Sequence, residues 1–240
     1  MTIRGIVFDK DGTLLDFNAT WIPVHRAVAL IVAAGNHVIA TKILEESGQD
    51  DERGVVASNS LLAAGTIHEI AEVWQKYAPE KSVDQLAQLI NGVGVSVSAY
   101  TAEAVPELHA TIRGFAEQGI KIGLATSDSY ESAMGVLARF ELIDEFDFVC
   151  GYDSGFGVKP GPGMVLGFCQ ETGCRADEVC VVGDNAHDME MAKAANAALR
   201  IGVLSGTSEA HHLDPIADHV LASIAELPDL IDAFNSGEKL

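Results

Sequence analysis

Gly5-Ile6-Val7-Phe8-Asp9-Lys10-Asp11-Gly12-Thr13-Leu14-Leu15 is the stretch whose reading decides the fold. Residues 3–8 form a short, mostly apolar and β-branched run, the mark of a strand buried on both faces of a parallel sheet. Two aspartates follow at once. Side chains two residues apart on an extended segment point the same way, so Asp9 and Asp11 can converge on one ligand before Gly12 turns the backbone. A solvated strand end with two acidic turn residues fits the same letters, and this stretch alone does not separate the two readings.

Further along, the pattern repeats. Residues 120–125 are a second apolar run, ending in Thr126-Ser127-Asp128-Ser129; residues 146–150 are a third. Residues 179–182 are a fourth, ending in Gly183-Asp184-Asn185-Ala186-His187-Asp188, and residues 199–203 and 219–221 give two more. Helical stretches lie between them, over residues 106–118, from Ser129 to about 140, after Pro160 and Pro162, and up to about 196. Strand and helix in alternation predict an α/β fold, a parallel sheet with helices on both faces.

Residues 17–101 have a different character, rich in Ala, Glu and Gln at helical spacing. Thr66 with Glu69 and Ser82 with Gln85 each fit a capping box, and Gly35, Gly48, Gly54 and Gly65 divide the segment into about four helices. Trp21 is expected to open the first, with Pro23 in its first turn, after a connector over residues 16–20. Residues 92–101 are expected to lead back, and no run in the segment reads as a strand. The expected division is a core of residues 1–16 and 102–240 and a helical insertion of residues 17–101.

Composition bounds the function. Of 240 residues, 48% are hydrophobic and 21% charged, a globular balance. Thirty-five acidic against 15 basic side chains give a formal charge of -20, which argues against nucleic acid and anionic membrane surfaces as partners. The longest apolar run, residues 27–34, is too short to span a bilayer, and the first strand begins without a signal-like leader. The four cysteines, at 150, 169, 174 and 180, have no metal-binding spacing and read as thiols of a reducing compartment. A cytoplasmic protein, monomer or homodimer, is expected.

In open parallel sheets, ligands bind at the carboxyl ends of the strands, and three strands here deliver polar residues there: Asp9 and Asp11, Thr126 and Ser127, Asp184 and Asp188. Carboxylates gathered at one rim repel one another unless a cation sits among them, and an all-oxygen set favours Mg²⁺. Lys159, in Gly157-Val158-Lys159-Pro160-Gly161-Pro162, could neutralise a bound phosphate, although a lysine before a proline also fits a solvated helix start. Thr126 and Ser127 could equally cap the following helix, and Asp188 could complement a helix dipole.

The four ordered pieces, Asp9-Lys10-Asp11-Gly12-Thr13, Thr126, Lys159-Pro160, and Gly183-Asp184 with Asp188, resemble the motifs of the haloacid-dehalogenase-like hydrolase superfamily. The resemblance covers residues 1–16 and 102–223, and Gly202-Val203-Leu204-Ser205-Gly206-Thr207 adds a likeness to the phosphoglycolate-phosphatase-like subgroup. It implies a Rossmann-like catalytic core with a small helical cap, and a Mg²⁺-dependent phosphatase acting on a small phosphorylated metabolite, phosphoglycolate being one candidate. By the same resemblance Asp9 is the nucleophile that forms an aspartyl-phosphate, and Asp11 is the general acid and then the base. Thr126, the Ser127 backbone N–H and Lys159 bind the phosphoryl oxygens. Asp9, Asp184 and the backbone carbonyl of Asp11 hold the metal, and Asp188 stands behind them, orienting metal-bound water or Lys159.

Lys10 replaces the apolar residue usual between the two aspartates in that subgroup, and strand alternation directs it away from the site. Trp21, His25 and Arg26 follow the first motif closely; Arg26 could meet a substrate carboxylate, or the trio could be structural. A sugar phosphomutase shares every core residue and remains the alternative enzyme. A non-enzymatic phospho-accepting module is a third reading, against which stand the insertion and the acid at position 11.

Overall fold

The computed structural model of the chain describes residues 2–58 and 60–238; Met1, Asn59, Lys239 and Leu240, which the expected core and insertion ranges include, lie outside the described residues. In chain order the elements are β1 (Gly5–Phe8), α1 (Phe17–Val32), α2 (His37–Glu46), β2 (Gln49–Asp50), β3 (Val55–Val56), α3 (Leu61–Ala64), α4 (Ile67–Trp74) and α5 (Val83–Thr101). There follow α6 (Leu108–Glu117), β4 (Lys121–Ala125), α7 (Tyr130–Arg139), β5 (Phe148–Cys150), α8 (Gly163–Thr172), β6 (Val179–Gly183), α9 (Ala186–Ala195), β7 (Leu199–Val203), α10 (Ala210–Leu213), β8 (His219–Leu221) and α11 (Leu227–Ser236). Contacts group the residues up to Asp16 with those from Ala104 onward, and Phe17–Glu103 form a second unit.

The first unit is a six-stranded sheet in the order β5-β4-β1-β6-β7-β8, with every pairing parallel. β1 lies between β4 and β6, so Gly5 is in register with Lys121 on one side and Val179 on the other. After β1 the chain fills one side through β4 and β5, then crosses to β6, β7 and β8. The switch point therefore lies at the carboxyl end of β1, where Asp9 begins. Alternate residues serve two cores: Ile6 and Phe8 pack with Ile112, Phe115, Leu227 and Ile231 of α6 and α11, while Val7 packs with Met164, Phe168, Met191 and Ala192 of α8 and α9. Helices thus cover both faces, as the unbroken apolar strands require.

Phe168 fixes how closely one helix layer approaches. A Cβ on either Gly5 or Gly123 would come within 2.6 Å of its ring, so the two glycines leave bare backbone under the phenyl. α11 closes the sheet unit through buried Leu227 and Ile231 and is an element that the sequence reading did not include.

The second unit is built around buried Val28, Ile43, Ala71, Trp74 and Leu86. The Trp74 indole N–H donates to Ser47 Oγ (2.8 Å), which satisfies the one polar atom of that ring. Both expected capping boxes form, at Thr66 with Glu69 and at Ser82 with Gln85.

Three expectations for this segment are corrected. α1 begins at Phe17 rather than Trp21, and Pro23 lies in its interior, because buried Phe17, Thr20, Val24 and Val28 form one helical stripe that packing holds through the proline. α5 continues through residues 92–101, since Leu86, Ile90, Val93 and Val97 keep the period across Gly92 and Gly94. A two-residue antiparallel pair joins Gln49 to Val56 and Asp50 to Val55, too short to leave a period in the sequence; Gly54, at φ +66°, serves its turn rather than a helix break. Among the described residues, no helix is long and apolar enough to cross a membrane.

Candidate active site

Four loops meet at the carboxyl edge of the sheet. Asp9 follows β1 directly, and its N–H donates to Val182 O (2.9 Å), tying the start of the loop to β6. Asp184 follows β6 in the same way. Gly12 turns the chain at φ +82°, and a Cβ there would lie 2.6 Å from Asp184 Oδ2, so glycine both permits the turn and leaves room for the carboxylate. On the opposite side Gly206 would clash with the same oxygen if it carried a side chain. The Thr207 N–H donates to Asp184 Oδ2 (2.9 Å), and Ser205 Oγ donates to Gly12 O (2.7 Å). The 205–207 loop therefore holds Asp184 in place, a role that a likeness to a subgroup did not reveal.

Lys159 is nearly buried and lies between two carboxylates, with Nζ 2.5 Å from Asp9 Oδ1 and 2.6 Å from Asp188 Oδ1. The reading of Lys159 as a solvated helix start is set aside by this burial. Asp188 is itself anchored by α9: it is the third residue of the helix, and its Oδ2 accepts the Asn185 N–H (3.1 Å). A Cβ at Gly183 would lie 2.3 Å from Asp188 Cγ, so this glycine admits the carboxylate against the strand end. Helix-start acid and site residue are thus one and the same here.

Carboxylate oxygens of Asp9, Asp184 and Asp188 lie within 4.8 Å of one another. Like charges at about this separation repel by roughly 3–4 kcal/mol at an effective dielectric near 20, and Lys159 supplies only one positive charge against three negative ones. Burial first, and then repulsion from Asp188 and Asp11, push the Asp9 carboxyl up to about 7 despite Lys159. Burial, with repulsion from Asp9 and Asp188, holds Asp184 well above the usual carboxylate range. Burial pulls the Lys159 ammonium down, but the charges of Asp188 and Asp9 outweigh it and leave it above its ordinary value. An all-oxygen, electron-rich set short of positive charge fits a hard divalent cation of the magnesium type. Asp188, expected to orient metal-bound water or Lys159, contacts Lys159 and also lies within this carboxylate cluster. The Asp11 carboxyl is outside it.

Thr126 directly follows β4, buried, with its N–H donating to Cys150 O (3.0 Å). Its Oγ1 accepts the Asp128 N–H (3.1 Å), which directs the hydroxyl proton elsewhere. Ser127, the next residue, is exposed, and it is Ser129, not Thr126 or Ser127, that caps α7 through the Ser132 N–H (3.2 Å).

Lys10 corrects the expectation. Instead of lying apart from the site, its buried ammonium reaches Asp128 Oδ2 (2.8 Å) and Asp11 Oδ2 (3.1 Å). The signal was in the parity of the strand: Lys10 falls on the same side as Ile6 and Phe8, both in the core, so it is driven inward and needs carboxylate partners. In the helical unit Trp21, His25 and Arg26 make contacts within the unit, with Arg26 half exposed. His25 Nδ1 pairs with Gln49 Oε1 (2.9 Å), Trp21 stacks on His25, and Arg26 Nε lies 3.1 Å from Asp51 Oδ1.

A family model described as haloacid dehalogenase-like hydrolase matches residues 3–196. Pyrophosphatase PpaX of Halalkalibacterium halodurans is 28% identical, over 96% of this chain and 98% of its own length. Phosphoglycolate phosphatase of Yersinia pseudotuberculosis is 28% identical, over 94% of this chain and 91% of its own. A crystal structure from Haemophilus somnus, reported as a predicted phosphoglycolate phosphatase, superposes with a TM-score of 0.74 at 16% identity, covering 96% of this chain and 98% of that one. With most of its length matched by the family model and every ordered motif at the switch point of the sheet, the chain belongs to the haloacid dehalogenase-like hydrolases.

Proposed function

We propose that the protein is a Mg²⁺-dependent phosphomonoester hydrolase that works through a phosphorylated Asp9. The observation that carries the reading is Lys159 Nζ bridging Asp9 Oδ1 and Asp188 Oδ1 beside Asp184, a nucleophile fixed at the rim of the sheet within a set that lacks positive charge. Asp9, Asp184 and the backbone carbonyl of Asp11 would hold the metal, with Asp188 beside them. When bound, the cation supplies charge neutralisation, so that a carboxylate can approach an anionic phosphate.

In the first half-reaction an Asp9 oxygen forms a bond to phosphorus, the bond from phosphorus to the leaving oxygen breaks, and Asp11 gives that oxygen its proton. In the second, Asp11 takes a proton from water as the water oxygen attacks phosphorus, and Asp9 is released as a carboxylate. Lys159, the Thr126 hydroxyl and the Ser127 N–H bind the non-bridging oxygens, which gather charge in the transition state. The helical unit of Phe17–Glu103 is assigned the choice of leaving group, the role that the resemblance to a capped hydrolase implies.

The substrate is a small phosphorylated metabolite, phosphoglycolate being the candidate by the name of one relative, while the name of another makes pyrophosphate, an anhydride, the substrate to test against it. The test is phosphate release from phosphoglycolate, pyrophosphate, sugar phosphates and 4-nitrophenyl phosphate, with and without Mg²⁺. Mg²⁺-dependent release is the expected result. Isomerisation of a sugar phosphate without net release would make the protein a mutase, and no reaction with any of them would overturn the reading.

A further inference from the structure

The buried cation that the mechanism above does not use is Lys10. Its side chain is 1% exposed, and its Nζ contacts two carboxylates on different loops, Asp11 Oδ2 at 3.1 Å and Asp128 Oδ2 at 2.8 Å. Asp128 is firmly held: Oδ2 also accepts from Ser132 Oγ (2.6 Å), Oδ1 accepts the Ser129 N–H (2.8 Å), and its own N–H donates to Thr126 Oγ1 (3.1 Å). Asp128, in the loop just before the cap of α7, thus fixes Lys10 at one end and the Thr126 hydroxyl at the other.

Taking a lysine out of water costs several kcal/mol unless it is paired, and Asp128, with its own supports, already provides one pairing. The second carboxylate adds nothing that burial of the lysine requires, and it belongs to the residue assigned to proton transfer. We propose that Lys10 and Asp128 form a positioning pair that fixes the rotation of the Asp11 carboxyl and locks it in register with the Thr126–Ser127 phosphate loop. The proposal rests on the phosphatase reading of Asp11. Lys10 touches neither phosphate nor leaving group; it acts through Asp11. The step affected is the one in which the bond from phosphorus to the leaving oxygen breaks while that oxygen takes the proton of Asp11.

A leaving group that departs well as an anion needs that proton little, and a poor one needs it much. Phenyl phosphate and 4-nitrophenyl phosphate differ in leaving ability and little in shape, and kcat/KM ends at loss of the phenol, so the ratio of their kcat/KM values reads proton delivery to the leaving oxygen apart from hydrolysis of the Asp9 phosphoryl group, which both substrates share. Positioned proton transfer contributes about 10²–10⁴-fold to a rate. Lys10→Met is therefore expected to lower kcat/KM for phenyl phosphate by about a hundredfold and for 4-nitrophenyl phosphate by a few-fold at most. Asp11→Asn should show the same bias, and adding Lys10→Met to it should cost little more, because the two act on one step.

Removing Lys10 leaves Asp128 unpaired and could unfold the protein, so the pair Lys10→Met with Asp128→Asn is made as well; it removes both charges and should show the same bias with a melting temperature near that of the natural protein. Equal loss on both substrates, no loss on either, or full additivity with Asp11→Asn would overturn the positioning role while leaving the phosphatase reading intact. Absence of phosphate release by the unaltered protein from both substrates would overturn the two together.

Discussion

At the scale of single residues, His25 shows how packing sets chemistry outside the site. Gln49 Nε2 donates to Asp51 Oδ1 (2.6 Å), which turns Gln49 Oε1 toward His25 Nδ1 and makes that nitrogen the protonated one of a neutral ring. Burial lowers the imidazole from 6.5 to about 4, only partly opposed by the Gln49 hydrogen bond. Because the unfolded chain binds this proton more readily, stability is lost as pH falls from about 6.5 towards 4, by up to about 3 kcal/mol. Replacing His25 by Asn should remove that share of the slope, so its stability deficit in urea unfolding at pH 7 should shrink by about 2 kcal/mol at pH 4.5. An unchanged deficit would contradict the assignment.

At the carboxyl edge of the sheet, Asp9, Thr126 and Asp184 could be placed because each directly follows an apolar strand. Asp9, Asp184, Lys159 and Asp188 meet as a charged cluster, with Thr126 at the end of the neighbouring strand. Lys10 was misread because alternation was applied from the site outward instead of from Phe8 inward. Asp128 was passed over as loop, since a turn aspartate carries no period of its own.

Among elements, the parallel strands could be read nearly to the residue, since a strand buried on both faces is apolar throughout. The insertion was less legible. Its glycines look alike in sequence, yet Gly54 turns a hairpin, Gly92 and Gly94 lie inside α5, and only contacts across the unit decide between these uses. Gly123 is a case where the contact is visible and its energy testable. A methyl group there would lie 2.6 Å from Phe168 Cδ2. Gly123→Ala should destabilise the sheet unit by about 1–3 kcal/mol, the usual cost of overpacking. Phe168→Leu in the same chain should return part of that loss, a coupling that denaturant midpoints of the four proteins would show. Simple additivity would mean that the ring does not set the spacing.

On the scale of the whole molecule, a charge of -20 and a buried group of three carboxylates with one lysine let the proposed metal be tested through stability as well as through chemistry. Mg²⁺ at a hundred times its dissociation constant should stabilise the fold by about 2.7 kcal/mol, seen as a rise in melting temperature. Asp184→Asn should abolish that rise and, by relieving repulsion with Asp9 and Asp188, melt no lower than the natural protein without metal. A metal-induced rise that survives Asp184→Asn would place the ion elsewhere.

The proposed chemistry turns on phosphorus being bonded to Asp9. The most direct measurement is acid quenching during turnover of 4-nitrophenyl phosphate with Mg²⁺, followed by mass spectrometry of the peptide that carries residues 5–15, using Asp11→Asn to slow release. The expected result is one added phosphoryl group on Asp9, labile to hydroxylamine and absent in Asp9→Asn, which should be folded and inactive. Phosphate on another side chain, or an Asp9→Asn protein that still turns over, would contradict it.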